Sequence, residues 1–304
     1  MKRRCPNPNC NQEPSLLTPG DHQNPRFRPI IRKGSFYRKH DRRFITRYYC
    51  KQCGQHFSSS THSPDYRQKK PCLNSKVFEL FASSMSQRRM ALYLRANPKT
   101  IVRKFRLMAL RARTAHETWQ LQQRETPILE VQFDDLETFE HTKCKPLSVA
   151  LAVDKKSREI LHFEVSRMPA RGPLAAISRK KYGHRTDERP QGWDRMFESL
   201  KLVLHPNATV ESDQNPHYPR FVKKHIRSAL HVRHPGARGA ITGQGELKKL
   251  KFDPLFSLNH TCAMLRANLN RLVRRTWATT KKPEGLIDHL WLYLWYHNTV
   301  LIRR

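Results

Sequence analysis

Four cysteines near the N-terminus constrain this 304-residue chain more than any other feature. Cys5-Pro-Asn-Pro-Asn-Cys10 and Cys50-Lys-Gln-Cys53 are pairs separated by four and two residues, spacings that suit two thiolate knuckles closing on one tetrahedral Zn²⁺. Arg43-Phe-Ile-Thr-Arg-Tyr-Tyr49 reads as a strand entering the second knuckle, where Gly54 accepts the positive φ of the turn. Four thiolates leave no open coordination position, so the expected zinc is structural. The 39 residues between the pairs are long for a ribbon, and 18–29 read as an irregular insertion. The alternative is that only the second pair is ordered, with His56 or His22 as a substitute ligand. Cys72, Cys144 and Cys262 bring the count to seven, an odd number; they are expected to be buried structural thiols rather than parts of a disulfide framework.

Charge names the partner. Lys and Arg number 58 against 25 Asp and Glu, a formal net charge of +33, far beyond what solubility requires and characteristic of a polyanion binder. Residues 1–125 hold 27 Lys/Arg and 7 Asp/Glu, or +20, leaving +13 for the rest. Nucleic acid is therefore the expected ligand, gripped mainly by the front half. With no apolar run of about 18 residues and no apolar stretch after Met1-Lys-Arg-Arg, neither a membrane span nor a secretory signal is expected. The expected location is the cytoplasm.

From Leu73 the apolar residues adopt helical spacing. Ser86-Gln-Arg-Arg-Met-Ala91-Leu-Tyr-Leu94 and Asn97-Pro-Lys-Thr100-Ile-Val-Arg-Lys104 read as a helix, a turn and a second helix, with Ser86 and Asn97 as N-caps and Pro98 at the first helical position. As a helix-turn-helix, the second helix would offer Lys99, Thr100, Arg103 and Lys104 to DNA. Helix continues to about Gln123, and Arg124-Glu-Thr-Pro127 breaks it.

Beyond Pro127 the pattern turns to strands. Ile128–Phe133 runs into Asp134-Asp135-Leu-Glu137; Leu147–Val153 and Ile160–Val165 follow as a meander, then a basic loop 167–185 and a helix from about Trp193 to Leu204. Ala208–Ser212 is a further strand ending at Asp213. Carboxylates ending two strands that can lie side by side are what a two-metal phosphodiester site needs, because Mg²⁺ is a hard cation that takes oxygen ligands. Each aspartate alone could equally be a turn residue. His217 and Tyr218 are expected to open the next helix and shape the site.

These residues, together with Tyr-Tyr-Cys-Lys-Gln-Cys-Gly-Gln-His-Phe, Phe-Asp-Asp-Leu-Glu-Thr-Phe and Glu-Ser-Asp213-Gln-Asn-Pro-His-Tyr218, make the chain resemble bacterial insertion-sequence transposases of the DDE type. The resemblance implies a multidomain protein: a zinc ribbon (1–72), a helix-turn-helix domain (73–125) and an α/β RNase H-like, retroviral-integrase-like mixed-sheet core (126–304). It implies end cleavage and strand transfer with Mg²⁺ or Mn²⁺ held by Asp134 and Asp213, on transposon-end and target double-stranded DNA, by a homo-oligomer at the nucleoid. The family's third ligand, a Glu, falls at Asn259, a neutral oxygen donor as in Asp-Asp-Asn subgroups. Glu246, 33 positions after Asp213, is the runner-up. Arg266, Arg271, Arg274 and Arg275, with Lys281, Lys282 and Trp277, would track end phosphates. The aromatic stripe Leu286–Tyr296 reads as core or a dimer contact. A DNA-binding regulator or decayed transposase using only ribbon and helix-turn-helix is the main alternative; a structure-selective RNase H-like nuclease would not need the sequence-reading front.

Overall fold

The computed structural model describes residues 4–10, 29–39, 42–235, 253–273 and 277–303, and the chain divides into two compact units, residues 1–75 and 76–304. His22, Glu246, Arg274 and Arg275 lie outside the described residues. No helix among the described residues is long and apolar enough to cross a membrane.

The first unit is an antiparallel meander of β1 (Ile30–Arg38), β2 (Arg43–Cys50) and β3 (His56–Ser58). Its apolar core is Ile30, Tyr48, Cys50 and Phe57, packed against Cys5, Cys10 and Cys53. A core this small among the described residues is of the kind that a metal cross-link reinforces.

The second unit begins within α1 (Asn74–Phe81), followed by α2 (Gln87–Tyr93) and α3 (Pro98–Gln123). The expected caps are present. Ser86 Oγ accepts from the Arg89 N–H at 3.4 Å and Asn97 Oδ1 from the Lys99 N–H at 2.9 Å, with Pro98 opening α3. From Lys76 onward these helices belong to the same compact unit as the sheet, because they share a buried seam with the last helix, α8 (Pro283–Tyr296). Phe81 and Phe105 stack at 4.5 Å and both meet His289 edge-on. Burial pushes the His289 pKa down to about 4. The ring is therefore neutral, and its Nε2–H donates to the Phe81 carbonyl at 3.1 Å.

The sheet has the order β6-β5-β4-β7-β8. β4 (Ile128–Phe139), β5 (Pro146–Asp154) and β6 (Ile160–Arg167) form the antiparallel meander, while β7 (Leu204–Asp213) and β8 (Leu230–His234) add parallel to β4. Alternating side chains build two cores. Val131, Phe133, Ala150 and Ala152 pack under α5 (Arg189–Leu200) and α6 (Tyr218–His225). Leu136, Val149, Leu151 and Val153 pack under α7 (Phe256–Asn268) and α8, with Ala112 of α3 beside them. The outer edge of β6 is tied off by Asn298, whose amide donates to the Ile160 carbonyl and accepts from its N–H, both at 2.9 Å. The open backbone groups of one edge residue are thereby satisfied.

Several features differ from the sequence expectation. β4 runs on to Phe139, since its partner β5 continues the ladder past the acids. The basic stretch 167–185 contains a helix, α4 (Leu174–Tyr182), whose Arg179, Lys180 and Lys181 suit its C-terminal dipole. α5 begins at Arg189, where Pro190 lies in the first turn, not at Trp193. Cys72 is exposed rather than buried.

Gly192 of α5 sits where the helix crosses β6. A Cβ built there would lie 2.1 Å from Ser166 Oγ and 3.4 Å from Ser166 Cβ, and Ser166 is buried. Gly192→Ala is expected to lower stability by about 1–3 kcal/mol despite its better helix propensity. The double variant Gly192→Ala/Ser166→Ala should recover most of that loss in urea unfolding, and a cycle with no coupling would show the crossing to be looser than described.

Candidate metal centre and acidic site

The Sγ atoms of Cys5, Cys10, Cys50 and Cys53 all lie within 4.8 Å of one another. Cys5 to Cys53 is 3.5 Å and Cys10 to Cys50 is 3.7 Å. These separations are too long for disulfides and lie just under the roughly 3.8 Å edge of a tetrahedron with metal–sulfur bonds of about 2.3 Å. The four thiols could therefore hold a metal ion such as Zn²⁺. Local backbone explains the convergence. The Gly54 N–H bonds the Cys50 carbonyl at 2.9 Å, with Gly54 at φ +71° closing the second knuckle, and the Cys10 N–H bonds the Asn7 carbonyl at 3.1 Å in the first. The backbone N–H of Gln55 bonds the Cys53 thiol and draws its pKa down to about 6, while burial pushes Cys10 up to about 12; a bound cation would hold all four as thiolates. His56 is not one of the clustered ligands; its ring stacks near Tyr49 at 4.8 Å.

The acidic site is set by strand register. Gln132 of β4 pairs with Glu211 of β7 in the parallel ladder. Asp134 and Asp213 each lie two residues further on, so they share one sheet face at matching positions on neighbouring strands. Asp134 Oδ1 accepts from the Asp135 N–H at 2.7 Å and from the Tyr218 hydroxyl at 3.1 Å. Asp213 Oδ1 accepts from the Asn215 N–H at 2.9 Å. Burial, followed by the charge of Asp213, raises the Asp134 pKa to about 7. Burial likewise keeps the Tyr218 hydroxyl protonated, with the nearby acids reinforcing it, which makes it a donor at all ordinary pH. Asp135 is raised by burial too. Its carboxylate accepts from Trp193 Nε1 at 3.1 and 3.2 Å.

One turn inward lies a polar lock that the sequence reading missed. Gln132 Nε2 donates to Glu211 Oε2 and to the Pro254 carbonyl, both at 2.7 Å, while its Oε1 accepts from the Leu258 N–H at 3.1 Å. Lys155 Nζ neutralises Glu211 at 2.7 Å. The start of α7 is thus keyed to the sheet beside the acids. The available signal was a glutamine and a glutamate two residues before each aspartate, inside otherwise apolar strands.

Asn259 is exposed on α7, and its Nδ2 donates to Asp253 Oδ2 at 2.8 Å. That leaves Oδ1, the metal-binding atom of an amide, pointing to no described partner. One turn on, burial raises the Cys262 thiol to about 12, with the charge of Asp134 adding to it. Asp134 and Asp213 offer carboxylate oxygens, the donor type that a hard cation takes.

Of the residues expected on DNA, Lys99 and Arg103 are exposed and Thr100 is half-buried on α3. Lys104 is a correction. It is 4% exposed, because Ile101, Lys104, Phe105 and Met108 form the buried stripe of the helix. α7 ends at Asn268, so Arg266 alone of the basic run lies on it. Arg271 packs within 3.8 Å of where a Gly285 side chain would be, and burial lowers its pKa, offset by Asp288. Trp277 is fully exposed. On α6 and just beyond, Arg220, Lys223, Lys224 and Arg227 line an open groove of about 570 Å³.

The raised Asp134 carboxyl carries a pH signature. Its pKa lies above the ordinary 3.8, so the protonated acid favours folding; this contribution is full below about 3.8 and is lost as pH rises through about 7. Asp134→Asn keeps both hydrogen-bond acceptances and removes the charge. It should stabilise the second unit at pH 8 by roughly 2–4 kcal/mol and hardly at all at pH 4. Equal unfolding midpoints for the two proteins at pH 8 would contradict the buried, like-charged setting.

The chain matches no known family model, and no curated protein matches it significantly.

Proposed function

We propose that the second unit is a metal-dependent phosphodiester enzyme on DNA, and more particularly an insertion-sequence transposase with an Asp-Asp-Asn site on an RNase H-like core. The observation that carries this reading is the parallel β4–β7 pair, with Asp134 and Asp213 at matching positions on one face. The sheet order, an antiparallel meander extended by two parallel strands, agrees with the core that the resemblance implies. The net charge of +33, the exposed Lys99 and Arg103 at the start of α3 and the cationic α6 groove support double-stranded DNA as the partner, with α2 and α3 serving as the helix-turn-helix. The Cys₄ cluster serves as a structural zinc ribbon.

Bound Mg²⁺ or Mn²⁺ would polarise the scissile phosphate and activate the attacking oxygen. The chain's own part is to place the donors. Tyr218 and the Asp135 N–H fix one oxygen of Asp134, the Asn215 N–H fixes one of Asp213, and the Gln132–Glu211–Lys155 lock fixes the helix that presents Asn259. The site's burial strengthens each of these interactions.

The test is nicking of a plasmid that carries the gene with its native flanks, with and without Mg²⁺ or Mn²⁺. Metal-dependent cleavage at the flanks is expected. DNA binding with no cleavage under any metal would leave a regulator or a decayed transposase.

A further inference from the structure

The β1–β2 hairpin carries two large aromatic side chains that its small core does not use. Tyr37 and Phe44 face one another across the ladder, with ring centroids 5.3 Å apart and planes tilted by 57°. They are 50% and 71% exposed, whereas Tyr48 and Phe57 of the same sheet are buried at the cysteine cluster. Seven of the 18 residues from 30 to 47 are Lys or Arg, against one acid, Asp41. Cations of these strands already lie over ring faces, Arg47 over Phe36 at 5.0 Å and Lys33 over Tyr49 at 5.7 Å.

An exposed aromatic pair on a cationic ribbon has a specific chemical complement. A polyanion answers the charge, and a polyanion that also offers flat apolar faces answers the rings. We propose that Tyr37 and Phe44 form a stacking platform for unpaired nucleobases, with the strand's phosphates running along the cationic hairpin. Every base has a stacking face, so such contact is tolerant of sequence, and the surrounding Lys and Arg make it salt-dependent. A paired base keeps its faces inside the duplex, which is why the platform selects single strand. This goes beyond the proposed catalysis and shares with it only DNA as the partner.

The test uses the full zinc-loaded chain with two probes of one sequence: a single strand containing 2-aminopurine and a blunt duplex. Wild type should bind the single strand and quench its 2-aminopurine. Tyr37→Ala/Phe44→Ala should weaken single-strand binding about tenfold or more and abolish the quenching, with less than about a twofold change on the blunt duplex. Tyr37→Phe should behave as wild type, since the ring and not the hydroxyl does the stacking. Zinc content must stay unchanged in each variant, as the pair lies outside the metal cluster. Equal losses on both probes would place the hairpin in a duplex groove and overturn the proposal. So would wild-type binding of duplex alone, which leaves the transposase reading standing; binding of neither probe would sink both.

Discussion

Asp213→Ala is expected to remove metal-dependent nicking while leaving duplex affinity within about twofold. Loss of an outer partner of a metal ligand alone costs about 10–100-fold, so loss of a ligand should exceed about 100-fold. The two readouts separate because the exposed Lys99 and Arg103 and the α6 groove are built from other residues. Asp134→Ala should match it in activity. Unlike the aspartate-to-asparagine change, it leaves the Tyr218 hydroxyl, 3.1 Å from Asp134 Oδ1, without its acceptor in a buried position, so some loss of stability is expected as well. Gel-based nicking beside a mobility-shift titration decides the matter, and a fully active Asp213→Ala protein would move the chemistry elsewhere. Asn259→Ala extends the test. Should it nick normally, the third oxygen must be sought elsewhere, with Glu246, the alternative from the sequence, tested first.

Cys50→Ser is expected to unfold the first unit outright. Its core of four apolar side chains is closed by the cysteines themselves, and metal binding by a Cys₄ set is worth roughly 10–16 kcal/mol in small zinc modules. Mass spectrometry should find about one zinc per wild-type chain and none in the variant. Hydrogen exchange should show β1 to β3 losing protection while the β4–β8 sheet keeps it. Cys72→Ser is the matched control: Cys72 is exposed and outside the cluster, so zinc and protection should stay. Retained β1–β3 protection in Cys50→Ser would mean that the meander stands without a metal.

Local signals carried much of this architecture. Ser86 and Asn97 announced their helices because a capping oxygen serves backbone donors within the same few residues. β5 and β6 stood out because both of their faces are covered and their apolar runs are nearly continuous, whereas β8, Leu-His-Val-Arg-His at the sheet edge, went unread. Gly54 marked its knuckle for a backbone reason. What stayed hidden depends on partners distant in sequence. The continuation of β4 past Asp134 is set by β5, and the burial of Lys104 by the seam that α3 shares with α8. α4 was obscured by its own charge, since Arg and Lys near a helix end read as a basic loop when only composition is weighed. At the acidic site the aspartates were visible, whereas Tyr218 as a donor to Asp134 and Gln132 as the anchor of α7 arise only when strands and helices 79 to 126 residues apart come together.

The pairing of Gln132 with Glu211 binds architecture and chemistry into one reading frame. Each strand spends one residue on the lock and the second residue after it on the site, and alternate residues share a face. A single-residue insertion or deletion between lock and aspartate would turn the carboxylate to the opposite side of the sheet, among the apolar side chains that surround Phe133 and Phe197. Length variation in this protein is therefore disfavoured in two three-residue windows, 132–134 and 211–213, and free to accumulate in the turns outside them.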